Sequence, residues 1–66
     1  MQVVLNGENQ ELPDRMTVSQ LLTRLEVTHR RVAVEINRLL VTRSSHEETM
    51  IQPGDQIEIV SLVGGG

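Results

Sequence analysis

"TVSQLLTRL", Thr17 to Leu25, is the point at which the sequence changes period. Val18, Leu21, Leu22 and Leu25 recur at i, i+3, i+4 and i+7, which places them in one stripe along an α-helix. Thr17 and Gln20 fit a capping box: the hydroxyl accepts from a free backbone N–H, and the glutamine amide returns the bond to the Thr17 N–H. The spacing predicts an amphipathic helix of about two to three turns, fraying between Val27 and Arg31.

On either side of this segment the apolar residues alternate. Towards the N-terminus, Pro13-Asp14 closes "QVVLNGENQEL", Gln2 to Leu12, in which Asn6-Gly7 separates two short runs. Asn-Gly supplies the two positive φ angles of a type I′ turn, so the segment reads as a β-hairpin. Towards the C-terminus, "VAVEI" sets Val32, Val34 and Ile36 on one face and Ala33 and Glu35 on the other. Asn37-Arg38 turns into "LLV", a short fourth strand. "SSHEET" is polar, and Ser44 and Ser45 precede Glu47 and Glu48 by three residues, which suits a single helical turn. "QPGD", Gln52 to Asp55, has Pro and Gly in their turn positions, and "QIEIVSL" is the last strand with Ile57 and Ile59 inward. The order is ββαββ. An α+β architecture follows, a mixed sheet of about four or five strands with one main helix packed on one face over Leu21, Leu22 and Leu25.

Composition narrows the function. A chain of 66 residues is one domain near the lower size limit, burying only about 60% of its unfolded surface. It has no Cys and no aromatic residue, so aliphatic packing alone must hold it. The absence of aromatics argues against base-stacking on single strands, and a net charge of -3 is the wrong sign for a phosphate backbone or an anionic membrane. "MQVVLNGENQ" has no basic region leading into a long apolar run, so the expected location is cytoplasmic.

Candidate sites are few. His46-Glu47-Glu48 begins like a zincin motif, but position 50 is Met where the second His belongs, and a solvated turn is the expected state. With His29 the only other histidine, no metal site is expected. Ser19, Ser44, Ser45 and Ser61 lack a nucleophile motif, and so small a chain has little room for a closed pocket, so an enzyme is not expected. The glycines Gly64, Gly65 and Gly66 cannot form a phosphate cradle without a helix after them. Composition alone allows an inert flexible end. Their position directly after the strand-like run Val60 to Val63 favours another use: an extended, side-chain-free peptide that enters a narrow slot in a partner enzyme, offering the Gly66 carboxylate for adenylation.

The sequence resembles the ThiS family of sulfur carriers, in the ubiquitin-like β-grasp group that also holds MoaD. "VVLNGE", "TVSQLL", "RRVAVEINRLLVTR" and "PGDQIEIVSLVGGG" carry the resemblance over essentially the whole chain. Arg38 stands where a turn glycine is common, Thr42 where a proline often precedes the Arg43 position, and Ser61-Leu62 where a His-aromatic or similar pair is frequent. The resemblance implies a β-grasp domain over residues 1–63 and a flexible tail over 64–66. It implies a carrier rather than a catalyst. An E1-like (ThiF-like) adenylyltransferase uses ATP and Mg to activate Gly66, a cysteine desulfurase or sulfur relay converts it to a thiocarboxylate, and a ThiG-like thiazole synthase takes the sulfur for the thiazole ring of thiamin. No cofactor is bound stably. The tail Gly64, Gly65 and Gly66 enters the partner's slot, and with the first and last strands adjacent, docking falls on Val4, Val60, Leu62 and Val63. Sulfur supply to molybdopterin or another pathway, a ubiquitin-like modifier, and an interaction domain with an inert tail are the alternatives.

Overall fold

The computed structural model describes residues 1–62; Val63 and the glycine tail lie outside the described residues. Five strands are formed: β1 (Gln2–Leu5), β2 (Glu8–Glu11), β3 (Val32–Ile36), β4 (Leu39–Val41) and β5 (Gln56–Ser61), with one helix, α1 (Val18–Arg24). The sheet order is β2-β1-β5-β3-β4. β1 and β5 run parallel and every other neighbouring pair is antiparallel. This mixed sheet with one helix on one face is the expected ubiquitin-like β-grasp.

Local chemistry fixes each turn. Asn6 (φ 49) and Gly7 (φ 83) both take left-handed angles, as a two-residue type I′ hairpin demands. Asn37 (φ 53) and Arg38 (φ 70) repeat that geometry between β3 and β4 without a glycine, leaving the arginine backbone strained. In Gln52–Asp55, Gly54 has φ 83 behind Pro53, and the Asp55 N–H donates to the Gln52 carbonyl at 3.1 Å, which is a type II turn. Asp55 then acts as a hub. One carboxylate oxygen accepts from the Gln52 N–H at 2.8 Å and the other from Asn37 Nδ2 at 3.0 Å, while Asn37 Oδ1 accepts from the Gln56 N–H at 3.0 Å.

The helix begins as expected. Thr17 Oγ1 accepts from the Gln20 N–H at 3.1 Å and Gln20 Oε1 from the Thr17 N–H at 2.9 Å. The first two helical N–H groups, those of Val18 and Ser19, donate to the carbonyls of Thr49 and His46. The usually unsatisfied N-terminal donors are therefore used to hold the segment after β4 against the helix.

The helix ends sooner than its apolar spacing suggests. The Val27 N–H donates to the Leu22 carbonyl and the Glu26 N–H to the Thr23 carbonyl, with Glu26 at φ 59: a Schellman cap closes at Leu25 and replaces the expected fraying. Leu25 consequently lies outside the core at 39% exposure, contrary to the expected stripe. Its place is taken by residues from the connections, Leu12, Met16 and Ile51, which join Val3, Val18, Leu21, Leu22, Val34 and Ile57 in the buried cluster. Ile59 faces the same side, partly buried against that cluster. Among the described residues no helix is long and apolar enough to cross a membrane.

Candidate functional site

β5 is the middle strand of the sheet and leads directly to the tail. Its pairing with β3 runs from Ile57 opposite Ile36 to Ser61 opposite Val32, and the Leu62 N–H extends it by donating to the Arg31 carbonyl at 2.7 Å. The root of the tail is therefore fixed as far as Leu62. Gly64, Gly65, Gly66 and Val63, the last expected to take part in docking, lie outside the described residues.

Strand parity sends Val60 and Leu62 to the face away from the helix, and they are 52% and 60% exposed. Val60 pairs with Ala33, which places the two on one face. Leu40, 64% exposed, joins the same face because its β3 partner is Glu35. Val4 shares this face, as expected once β1 lies beside β5. It is half-buried, and the parallel register sets it beside Gln56, four positions and about 13 Å along β5 from Val60. Glu58, paired with Glu35, lies between the two. The uncovered face thus has an apolar end at the tail root and an acidic band across its middle.

A shallow cavity of about 380 Å³ opens at the tail root, lined by the apolar Ala33, Leu40 and Leu62 together with His29, Arg30 and Arg43. His46 forms part of its wall. The expected solvated turn at His46 is wrong: the residue is 1% exposed. The bonds from the helix start to Thr49 and His46 draw this polar segment inward, which its composition does not reveal. The turn also begins earlier than expected, as a 3-10 turn over Arg43–Ser45 preceded by Thr42, whose hydroxyl donates to Ser45 Oγ at 3.0 Å. Ser44 and Ser45 sit inside the turn and do not cap it.

The His46 ring meets His29, with Nδ1 to Nδ1 at 3.3 Å and the ring planes tilted by 53°. Burial holds the His46 imidazole below its ordinary pKa; a hydrogen bond with the Val41 backbone opposes this, and the proximity of His29 and Arg43 adds to it. Neutral His46 makes one of the paired nitrogens a donor and the other an acceptor. Among the described residues no group of three His, Cys, Asp or Glu side chains is arranged to hold a metal.

Comparison with known proteins places these features. A family model described as the ThiS family matches residues 3–66. A thiazole synthase of Paramagnetospirillum magneticum is 44% identical over all 66 residues, which correspond to 20% of that protein, so the chain spans about a fifth of the length of such relatives. The sulfur carrier protein ThiS of Escherichia coli is 30% identical over the whole of both chains. The crystal structure of a thiamine biosynthesis protein, ThiS, from Geobacter metallireducens superposes with a TM-score of 0.86 at 29% identity, again over both whole chains.

Proposed function

Because the chain belongs to the ThiS family, we propose that it is a sulfur carrier for thiamin thiazole formation whose reacting group is the Gly66 carboxylate. The observation that carries this reading is the match of residues 3–66, which runs from β1 through the last glycine, joined to the whole-length likeness to a named sulfur carrier. The likeness of the chain to part of two thiazole synthases supports thiazole synthase as the partner that receives the sulfur.

A carboxylate is a poor electrophile. In this reading an E1-like adenylyltransferase lets a Gly66 oxygen attack the α-phosphorus of Mg-bound ATP, releasing pyrophosphate. A persulfide sulfur from a cysteine desulfurase or relay then displaces AMP from the acyl carbon. Attack of a second thiol on the resulting S–S bond leaves the thiocarboxylate and a disulfide. The chain contributes no catalytic side chain to these steps. It supplies a fixed tail root at Leu62, three glycines that crowd the carbonyl least, and an apolar docking patch at Ala33, Leu40, Val60 and Leu62. A cytoplasmic location goes with this role.

The test is intact mass after incubation with the activating enzyme, ATP and a sulfur source. A fraction of the protein becomes heavier by the difference between one sulfur and one oxygen, localised to Gly66. A tail peptide that stays unmodified while a control carrier is converted refutes the proposal. Deleting Gly66, or fusing a residue after it, abolishes conversion without changing thermal unfolding.

A further inference from the structure

The tail root carries a charge pattern opposite to that of the chain as a whole. The net charge is -3, yet among the described residues no carboxylate lines the cavity, and Arg30, Arg43 and His29 do. Among the described residues neither guanidinium has a carboxylate partner; the ion pairs found there involve the amino terminus with Glu11 and Asp14. Ala33, Leu40 and Leu62 add apolar side chains to the same lining.

We propose that this cavity is a docking notch that selects a protein partner presenting a carboxylate next to an apolar side chain. The carboxylate meets the Arg30 and Arg43 guanidiniums, and the apolar group covers Ala33, Leu40 and Leu62. Two features favour a protein carboxylate over a free small anion. The cavity is open and mostly apolar, so it solvates an isolated ion poorly, and a guanidinium presents its N–H donors as a planar fork that matches a carboxylate. Leu62 belongs both to the notch and to the tail root, so whatever fills the notch also fixes the direction in which the tail leaves. The notch therefore helps choose which enzyme receives the tail. This rests on the reading that a protein partner takes the tail.

The experiment measures affinity of the full chain for the adenylyltransferase, without ATP or sulfur, by calorimetry at about 0.05 M and about 0.3 M NaCl, where screening differs most for exposed pairs. Arg30→Gln and Arg43→Gln are each expected to weaken binding roughly tenfold at the lower salt and to flatten its salt dependence, with thermal unfolding unchanged. Arg15→Gln, in a separate hollow beside Met1 and Met50, is the control and binds as the unaltered chain does. Unchanged affinity and salt dependence in both cavity variants overturns the notch while leaving the carrier reading intact. If the unaltered chain does not bind the adenylyltransferase, both fall. A parallel titration of the chain alone with inorganic phosphate is expected to leave the His29 and His46 ring signals unmoved; shifts that saturate below about 1 mM identify a small-anion site and overturn the proposal.

Discussion

Replacing Asp55 by alanine removes a side chain that ties three segments together. Its two oxygens accept from the Gln52 N–H at 2.8 Å and from Asn37 Nδ2 at 3.0 Å, and the residue is 9% exposed. A hydrogen bond to a charged group contributes about 1.5–3 kcal/mol, and deletion of the acceptor also strands the two donors, although water reaches part of the site. A loss of about 3 kcal/mol follows. Typical stability for a chain of 66 residues is about 3–10 kcal/mol, so the loss is between about a third and the whole of it. At about 4–8 °C per kcal/mol the midpoint falls by about 12–24 °C. Asp55→Asn keeps one acceptor and turns the other position into a donor, so about half the loss is expected. Urea unfolding of the three proteins, followed by circular dichroism, measures the series. An alanine variant within about 1 kcal/mol of the unaltered chain, or an asparagine variant as unstable as alanine, refutes the hub.

Stability is expected to be insensitive to pH above about 6.5 through His46 and to fall below it by at most about 1.4 kcal/mol per pH unit, because its folded pKa is depressed and the unfolded chain takes up the proton first. His46→Gln should flatten that part of a urea-midpoint profile, and an unchanged profile would show that another group titrates. Ile57→Asp should unfold the domain by burying an unpaired carboxylate, while Leu62→Asp should shift stability by only about 0.5 kcal/mol and weaken partner binding, as read by thermal unfolding beside affinity. Arg38→Gly should raise stability by about 0.5–1 kcal/mol by relieving φ 70 in the β3–β4 turn, and a lower unfolding midpoint would count against the strain.

Much of this fold was legible because its punctuation is local. Asn6-Gly7 takes its turn from the positive φ both residues tolerate, Thr17 and Gln20 bond each other three residues apart, the Asp55 N–H closes back on the Gln52 carbonyl, and the alternation of β3 and β5 follows from strand geometry alone. What the sequence hid depends on distant partners or on unusual residues. Glu26 fills the left-handed cap position that glycine normally announces, so the stop after Arg24 left no mark and Leu25 was read as core. His46 sits among Ser, Glu and Thr, and only its bonding to the start of the helix, 27 positions earlier at Ser19, buries it. Val4 was separated from Val60 by a parallel register that no single strand encodes. The place of Val60 and Leu62 on the uncovered face was readable by parity; Leu40 and the arginine-lined cavity needed the pairing of β4 with β3 and the fold of the segment after it.

The position of β5 also has a mechanical consequence. From Ile57 to Ser61 it is laced to β3 through five residue pairs, and the Leu62 N–H adds another bond to Arg31. Tension applied to the tail along the strand axis loads that ladder in shear, with the rungs sharing the force, whereas a tail leaving a terminal hairpin would be peeled one rung at a time. An enzyme that threads the glycines through a slot and pulls them taut meets a stopper rather than a loose thread.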